Sequence, residues 1–168
     1  MTSIKPSVPT RDDLRLALQI ALVCLTAYLA GFYFTHLFLG ASAAIGGLWA
    51  LISGVVVLQA TRRDTWASAS LRVLGTFIGA VASAIYLSFL PFNPFGMAAV
   101  IGVVILLCQV LGIPDHARLA SIVVAVIMVF SSFHQEVSPL LNATLRFVES
   151  FIGTSLAVVA VLLWSKPD

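Results

Sequence analysis

The chain has 168 residues, 60% of them hydrophobic and only 10% charged, with a mean hydropathy of +1.07 and a formal net charge of +2. A soluble domain carries about 25% charged residues, so this composition excludes one and points to a single integral membrane domain. The small net charge says little, because placement matters more than sum in a membrane protein, and no nucleic-acid partner is expected.

Residues 16–61 contain no Asp, Glu, Lys or Arg, and neither do residues 73–114. A spanning helix needs about 20 apolar residues, so each run holds two spans with a turn inside. Residues 1–10 read as a disordered cytoplasmic tail. Residues 11–168 form the transmembrane domain, opening at Arg11-Asp12-Asp13 with acids near the positive helix end. The first span runs from about Leu14 to Leu39, and Gly40-Ala41-Ser42 is a tight turn. The second runs from about Ala43 to Gln59, followed by Arg62-Arg63 and by Asp64 as a helix cap. The third covers about Thr65 to Phe89, and Pro91-Phe92-Asn93-Pro94 is a turn signal.

The fourth span covers about Phe95 to Leu111 and ends at Gly112 and Pro114, with Asp115 as the cap of the next. The fifth runs from about His116 to Phe133. Ser138-Pro139 has the cap-then-proline pattern of a helix start, and the sixth runs from Pro139 to Trp164. The apolar runs are too long for barrel strands of about 10 residues. Cys24 and Cys108 lie in different runs without a CxxC spacing and read as two buried thiols. Lys5, Arg11, Arg15, Arg62, Arg63, Arg118 and Lys166 all fall on one side of a six-span chain, which predicts cytoplasmic N- and C-termini.

ASLRVLGTFIG, Ala69 to Gly79, returns as ATLRFVESFIG, Ala143 to Gly153, at an offset of 74 with six of eleven positions identical. At the same offset Asp64 falls on Ser138, both read as caps, and the basic loop ATRRD falls on HQEVS. Two Leu/Ala-rich helices look alike by chance, but the coincidence of Arg, Gly, cap and loop at one offset argues against that. Three spans per repeat, about 14–89 and 90–164, would place the second upside down. The swap of charge between equivalent loops is what such inversion requires. Inverted repeats are a common transporter architecture, with the site near the midplane.

Arg72 and Arg146 each lie eight residues past these positions, about 12 Å along a helix. Arg72, Gly75, Thr76, Gly79 and Ser83 share one face; so do Arg146, Glu149, Ser150 and Gly153. Such faces are too polar for lipid. The two Arg either anchor helix ends and form ion pairs, or flank a central cavity for an anionic substrate. Glu149 either pairs with Arg146 at i,i+3 or relays a proton. Gly75 and Gly79, with Gly153, read as helix-packing positions. His36, His116 and His134 lie near span ends and read as interfacial or solvated, without metal-ligand spacing. Trp66 and Trp164 suit the interfacial belt, whereas Trp49 is mid-span. No nucleotide-binding Gly loop or nucleophile elbow occurs, so neither an enzyme nor a cofactor is expected.

WALISGVVVLQATRR, Trp49 to Arg63, followed by LRVLGTFIGA, Leu71 to Ala80, resembles the membrane domain of the fusaric acid resistance protein-like family. That family includes bacterial aromatic acid exporters and is similar to plant aluminium-activated malate transporters. The resemblance rests on Arg72, Gly75, Thr76 and Gly79, preceded by Trp49-Ala50 and Ser53. It implies a six-helix unit of the bacterial inner membrane that moves organic anions, with Arg72 and Arg146 on the anion path. Many bacterial members carry a cytoplasmic domain and a second membrane half. This chain has neither, so a homodimer is expected. The leading expectation is therefore a transporter or channel for small organic anions. The substrate and pore candidates are Arg72, Thr76, Arg146, Glu149 and Ser150, and the partners are lipid and the anion. The alternative is a non-transporting scaffold subunit.

Overall fold

The computed structural model describes residues 10–59 and 61–164. The described residues are helical without strands: α1 (Arg11–His36), a 3₁₀ turn (Gly40–Ser42), α2 (Ala43–Val57), α3 (Arg62–Phe89), α4 (Pro94–Val110), α5 (Pro114–Phe133) and α6 (Pro139–Trp164). Five segments are long and apolar enough to cross a membrane, α2 counting together with the 3₁₀ turn ahead of it (Gly40–Val57), while α4 has 17 residues. Leu74, Phe77, Val103, Leu106 and Phe151 are among many large apolar side chains facing outward. Exposure on this scale suits hydrocarbon as the surrounding medium.

The helix starts follow local chemistry. Thr10 and Asp13 form a reciprocal capping box at α1. At α3 the cap is Thr61, whose hydroxyl accepts from the Asp64 N–H at 3.1 Å. Asp64, expected to cap, sits in the first turn instead, where its carboxylate accepts from the Thr61 hydroxyl. Asp115 likewise lies in the first turn of α5 and does not cap it; the cap position belongs to Ile113, without a side-chain bond. Asn93 caps α4 ahead of Pro94. Ser138 accepts from the Leu141 N–H at 3.3 Å ahead of the turn that Pro139 opens. The expected tail, apart from Thr10, and Lys166 lie outside the described residues.

The middle of the bundle is the packing of α3 against α6. They run antiparallel: Arg62 donates to the Leu162 carbonyl at one end, Ala69 clusters with Ala157 and Val158, and Ala80 and Ala84 cluster with Ala143 at the other end. Flanking this pair, α2 packs on α6 and α5 packs on α3, while α1 covers α2 and α4 covers α5. Small residues permit the closest approaches. A Cβ on Gly79 would meet the Ala120 carbonyl at 2.5 Å, and one on Gly153 would overlap the Ala50 carbonyl.

Candidate functional site

Where α3 and α6 cross, the buried residues turn polar. Ser53, Arg72, Thr76, Ser83, Asn142, Arg146, Glu149, Ser150 and Thr154 are all buried inside an apolar bundle. Lipid offers no hydrogen bonds, so such groups turn inward and find partners in the protein.

The crossing itself is a ring of hydroxyls. Arg72 donates to Ser53 Oγ from Nε at 3.2 Å and from Nη2 at 3.0 Å. Ser53 Oγ lies 3.1 Å from Ser150 Oγ, and Ser150 Oγ lies 3.2 Å from Thr76 Oγ1. Thr76 in turn donates to the Arg72 carbonyl at 2.6 Å. Each hydroxyl has one proton; that of Ser53 has two acceptors in reach, the Trp49 carbonyl at 2.9 Å and Ser150 Oγ at 3.1 Å, while that of Thr76 closes the ring on the Arg72 carbonyl. The guanidinium also rests over the Trp49 ring, 5.1 Å from its centroid. Among the described residues no carboxylate pairs with Arg72.

The second guanidinium is held differently. Arg146 Nη2 lies 3.0 Å from Glu149 Oε1, and both side chains are fully buried. The same oxygen accepts from the Thr35 hydroxyl at 2.6 Å. Gly46 makes that meeting possible: a Cβ there would overlap Thr35 and come within 2.7 Å of Glu149 Oε1. The Arg146 guanidinium sits 5.2 Å from the centroid of Phe130. Its Nε and Nη1, Glu149 Oε2 and the Asn142 carbonyl oxygen have no protein partner. Two guanidinium charges therefore face one carboxylate, which leaves the buried cluster electropositive.

Thr76 and Ser150 touch, and Arg72 and Arg146 each sit four residues before them on antiparallel helices. The two arginine backbones thus lie on opposite sides of the crossing, about 12 Å apart along the helix axes, and the Arg72 guanidinium reaches back to Ser53 at the crossing itself. Between them lie the packed hydroxyls of Ser53, Thr76 and Ser150 where the charge pattern predicts a cavity. Gly75 faces Leu119 and the His116 carbonyl of α5, and Gly79 faces Ala120 and Val123. Gly153 lies against Ala50 and Gly54 of α2. The His116 ring nitrogens are shut off from solvent without a partner among the described residues, although the residue itself is only half-buried near the start of α5.

Thr35, Gly46, Asn142 and Phe130 escape a reading of charges alone. Asn142 could have been found: it stands one turn before Arg146 on the same face of α6. Thr35 and Gly46 carry no such signal, since they meet Glu149 from more than 100 positions away. A cavity of about 560 Å³ between α3 and α4 has a lining of Ile78, Val81, Ile85, Val100 and similar residues. It offers an anion no hydrogen-bond donor and suits lipid.

No match to this chain was found among curated proteins or among solved structures. The family model described as fusaric acid resistance protein-like matches residues 26–160, from within α1 to near the end of α6, so the match includes every residue of the polar crossing. With five helices long and apolar enough to span a bilayer and a match over most of its length, the chain is a multi-pass membrane protein and belongs to the fusaric acid resistance protein-like family, whose members serve transport and resistance.

Proposed function

We propose that the protein moves small organic anions, aromatic carboxylates among them, across the bacterial inner membrane. The observation that carries this reading is Arg72. It is 2% exposed, bonded among the described residues only to a neutral serine and an aromatic face, and set in a cluster with more cationic than anionic groups. An uncompensated buried charge costs several kcal/mol; an anion passing the crossing would relieve that cost. Arg146, already paired with Glu149, supplies a second donor on the other side. Whether the passage works as a channel or an exporter depends on the coupling of the two ends.

The unit is read as six spans in two inverted repeats, and three features support this. Thr76 and Ser150, equivalent at the 74-residue offset, contact each other, as residues on a two-fold axis must. The element pairs correspond: α2 on α6 with α5 on α3, and α1 on α2 with α4 on α5. Two grooves flank the crossing. Every residue lining the first has its counterpart, shifted by 74, in the lining of the second: Phe77 with Phe151, Ala80 with Thr154, Leu140 with Trp66 and Phe147 with Val73 are four of the pairs. Six spans put both termini on one side, and the placement of Lys and Arg supports the cytoplasmic side; a homodimer is the assembly proposed from the family resemblance.

Purified protein in liposomes should move benzoate or a similar carboxylate. Arg72→Gln should lower that flux at least about tenfold, the cost of losing roughly 1.4 kcal/mol of anion stabilisation. Normal flux from the Arg72→Gln/Arg146→Gln double variant would defeat the site. A wild-type protein that moves no anion on its own would favour the scaffold subunit.

A further inference from the structure

A cavity of about 320 Å³ opens at the end of the bundle where α3 meets α4 and α5 meets α6. One wall is the α3–α4 turn, at Leu90, Pro91 and Phe92; the other carries Ser131 and Ser132 at the end of α5 and Gln135 in the turn beyond it. Ser131 is where the cavity meets the buried cluster. Its hydroxyl accepts from Asn142 Nδ2 at 2.9 Å, and the same nitrogen donates to the Ile127 carbonyl at 3.2 Å. Asn142 is 1% exposed, and its carbonyl oxygen has no protein partner.

Asn142, Arg146 and Glu149 follow one another on one face of α6. Each has a buried polar atom without a protein partner: the Asn142 amide oxygen, Arg146 Nε and Nη1, and Glu149 Oε2. A buried polar group left unbonded costs about 1–3 kcal/mol. Three in file, beginning one hydrogen bond from the serine-lined wall of an open, partly polar cavity, point to a path that is hydrated when the protein works. An aromatic wall follows the same course: His134 stacks on Phe130 at 4.1 Å, and Phe130 carries the Arg146 guanidinium. At the equivalent positions α3 has Ser68, Arg72 and Gly75. Ser68 is only half-buried and Gly75 brings no side chain, so the file exists on one side of the crossing only.

We propose that this vestibule is the mouth through which the anion reaches Arg146, and that Asn142 separates mouth from site. The proposal rests on the transport reading and adds the route and its first constriction. Free N–H donors on Arg146 suit a carboxylate, and Asn142 can exchange its bond to Ser131 for one to water or cargo as the anion passes.

The test uses the full chain in sealed vesicles, with Ser131→Cys or Asn142→Cys exposed to a membrane-impermeant sulfonate thiol reagent from the loop face. Unmodified protein, with its native Cys24 and Cys108, supplies the background. Both new thiols should react, and benzoate at a concentration that saturates flux should slow both reactions about tenfold. Ser68→Cys, toward the opposite end of the bundle, should stay unreactive from that face. An inert Asn142→Cys beside a reactive Ser131→Cys overturns the proposal, as does labelling that benzoate leaves unchanged. If Asn142→Cys does not assemble, benzoate protection of Ser131→Cys decides the matter. Wild-type flux in the same vesicles separates the two readings: normal flux with unprotected thiols defeats the vestibule alone, whereas absent flux defeats transport itself.

Discussion

Glu149 Oε1 takes both a hydroxyl proton from Thr35 and the Arg146 charge. A carboxylate inside a bundle is tolerable only with such company. Thr35→Val keeps the shape and removes one donor, so it should lower stability by about 2 kcal/mol, the worth of a hydrogen bond to a charged group. Thermal unfolding in detergent would read this as a lower midpoint. Thr26→Val on the exposed flank of the same helix should stay within about 0.5 kcal/mol of wild type, because its hydroxyl bonds only to its own helix. A larger loss at Thr26 than at Thr35 would contradict the role given to the pair. The Arg146–Glu149 contact was legible in the sequence, since charges are rare in an apolar run and i,i+3 spacing places them together. Thr35 was not, because a lone threonine in a span usually bonds its own helix, and only the packing of α1 on α6 says otherwise.

The crossing of α3 and α6 depends on neighbours that come unusually near. Gly153→Ala would drive a methyl group into the Ala50 carbonyl of α2, and overpacking of this kind costs about 1–3 kcal/mol. Gly102 on α4 has nothing within 4 Å of where a Cβ would lie. Gly102→Ala should therefore gain about 0.5–1 kcal/mol from the better helix former. Melting midpoints of the two variants should move in opposite directions; a stable Gly153→Ala would show that α2 and α6 can separate at little cost. Helix existence was legible from apolar run length, and the start of α6 from Ser138-Pro139. The start of α3 was not, because Asp64 and Thr61 are both good caps and the geometry of the turn decides between them. The 74-residue offset was visible only in α3 and α6. The packing partners of Gly79 and Gly153 are Ala120 and Ala50, which differ by 70. That one-turn slip leaves α2 and α5 with no aligned motif.

For the whole molecule, the proposed inverted arrangement makes a topological prediction. Arg63→Cys and Glu136→Cys lie at connections that correspond at the repeat offset, and an impermeant thiol reagent should reach them from opposite sides of the membrane. Labelling of both from one side would end the inverted reading. The polar crossing would remain in place, since its bonds do not depend on the symmetry.

The short fourth helix has a consequence for the surrounding lipid. If α4 spans the bilayer, its seventeen residues reach about 26 Å, against a hydrocarbon thickness of about 30 Å, while the 28 residues of α3 reach about 42 Å, enough to carry its charged start into the headgroup region. Acyl tails along such a flank would shorten or disorder to meet it, and the lipids beside α4 are expected to be enriched in short or unsaturated tails.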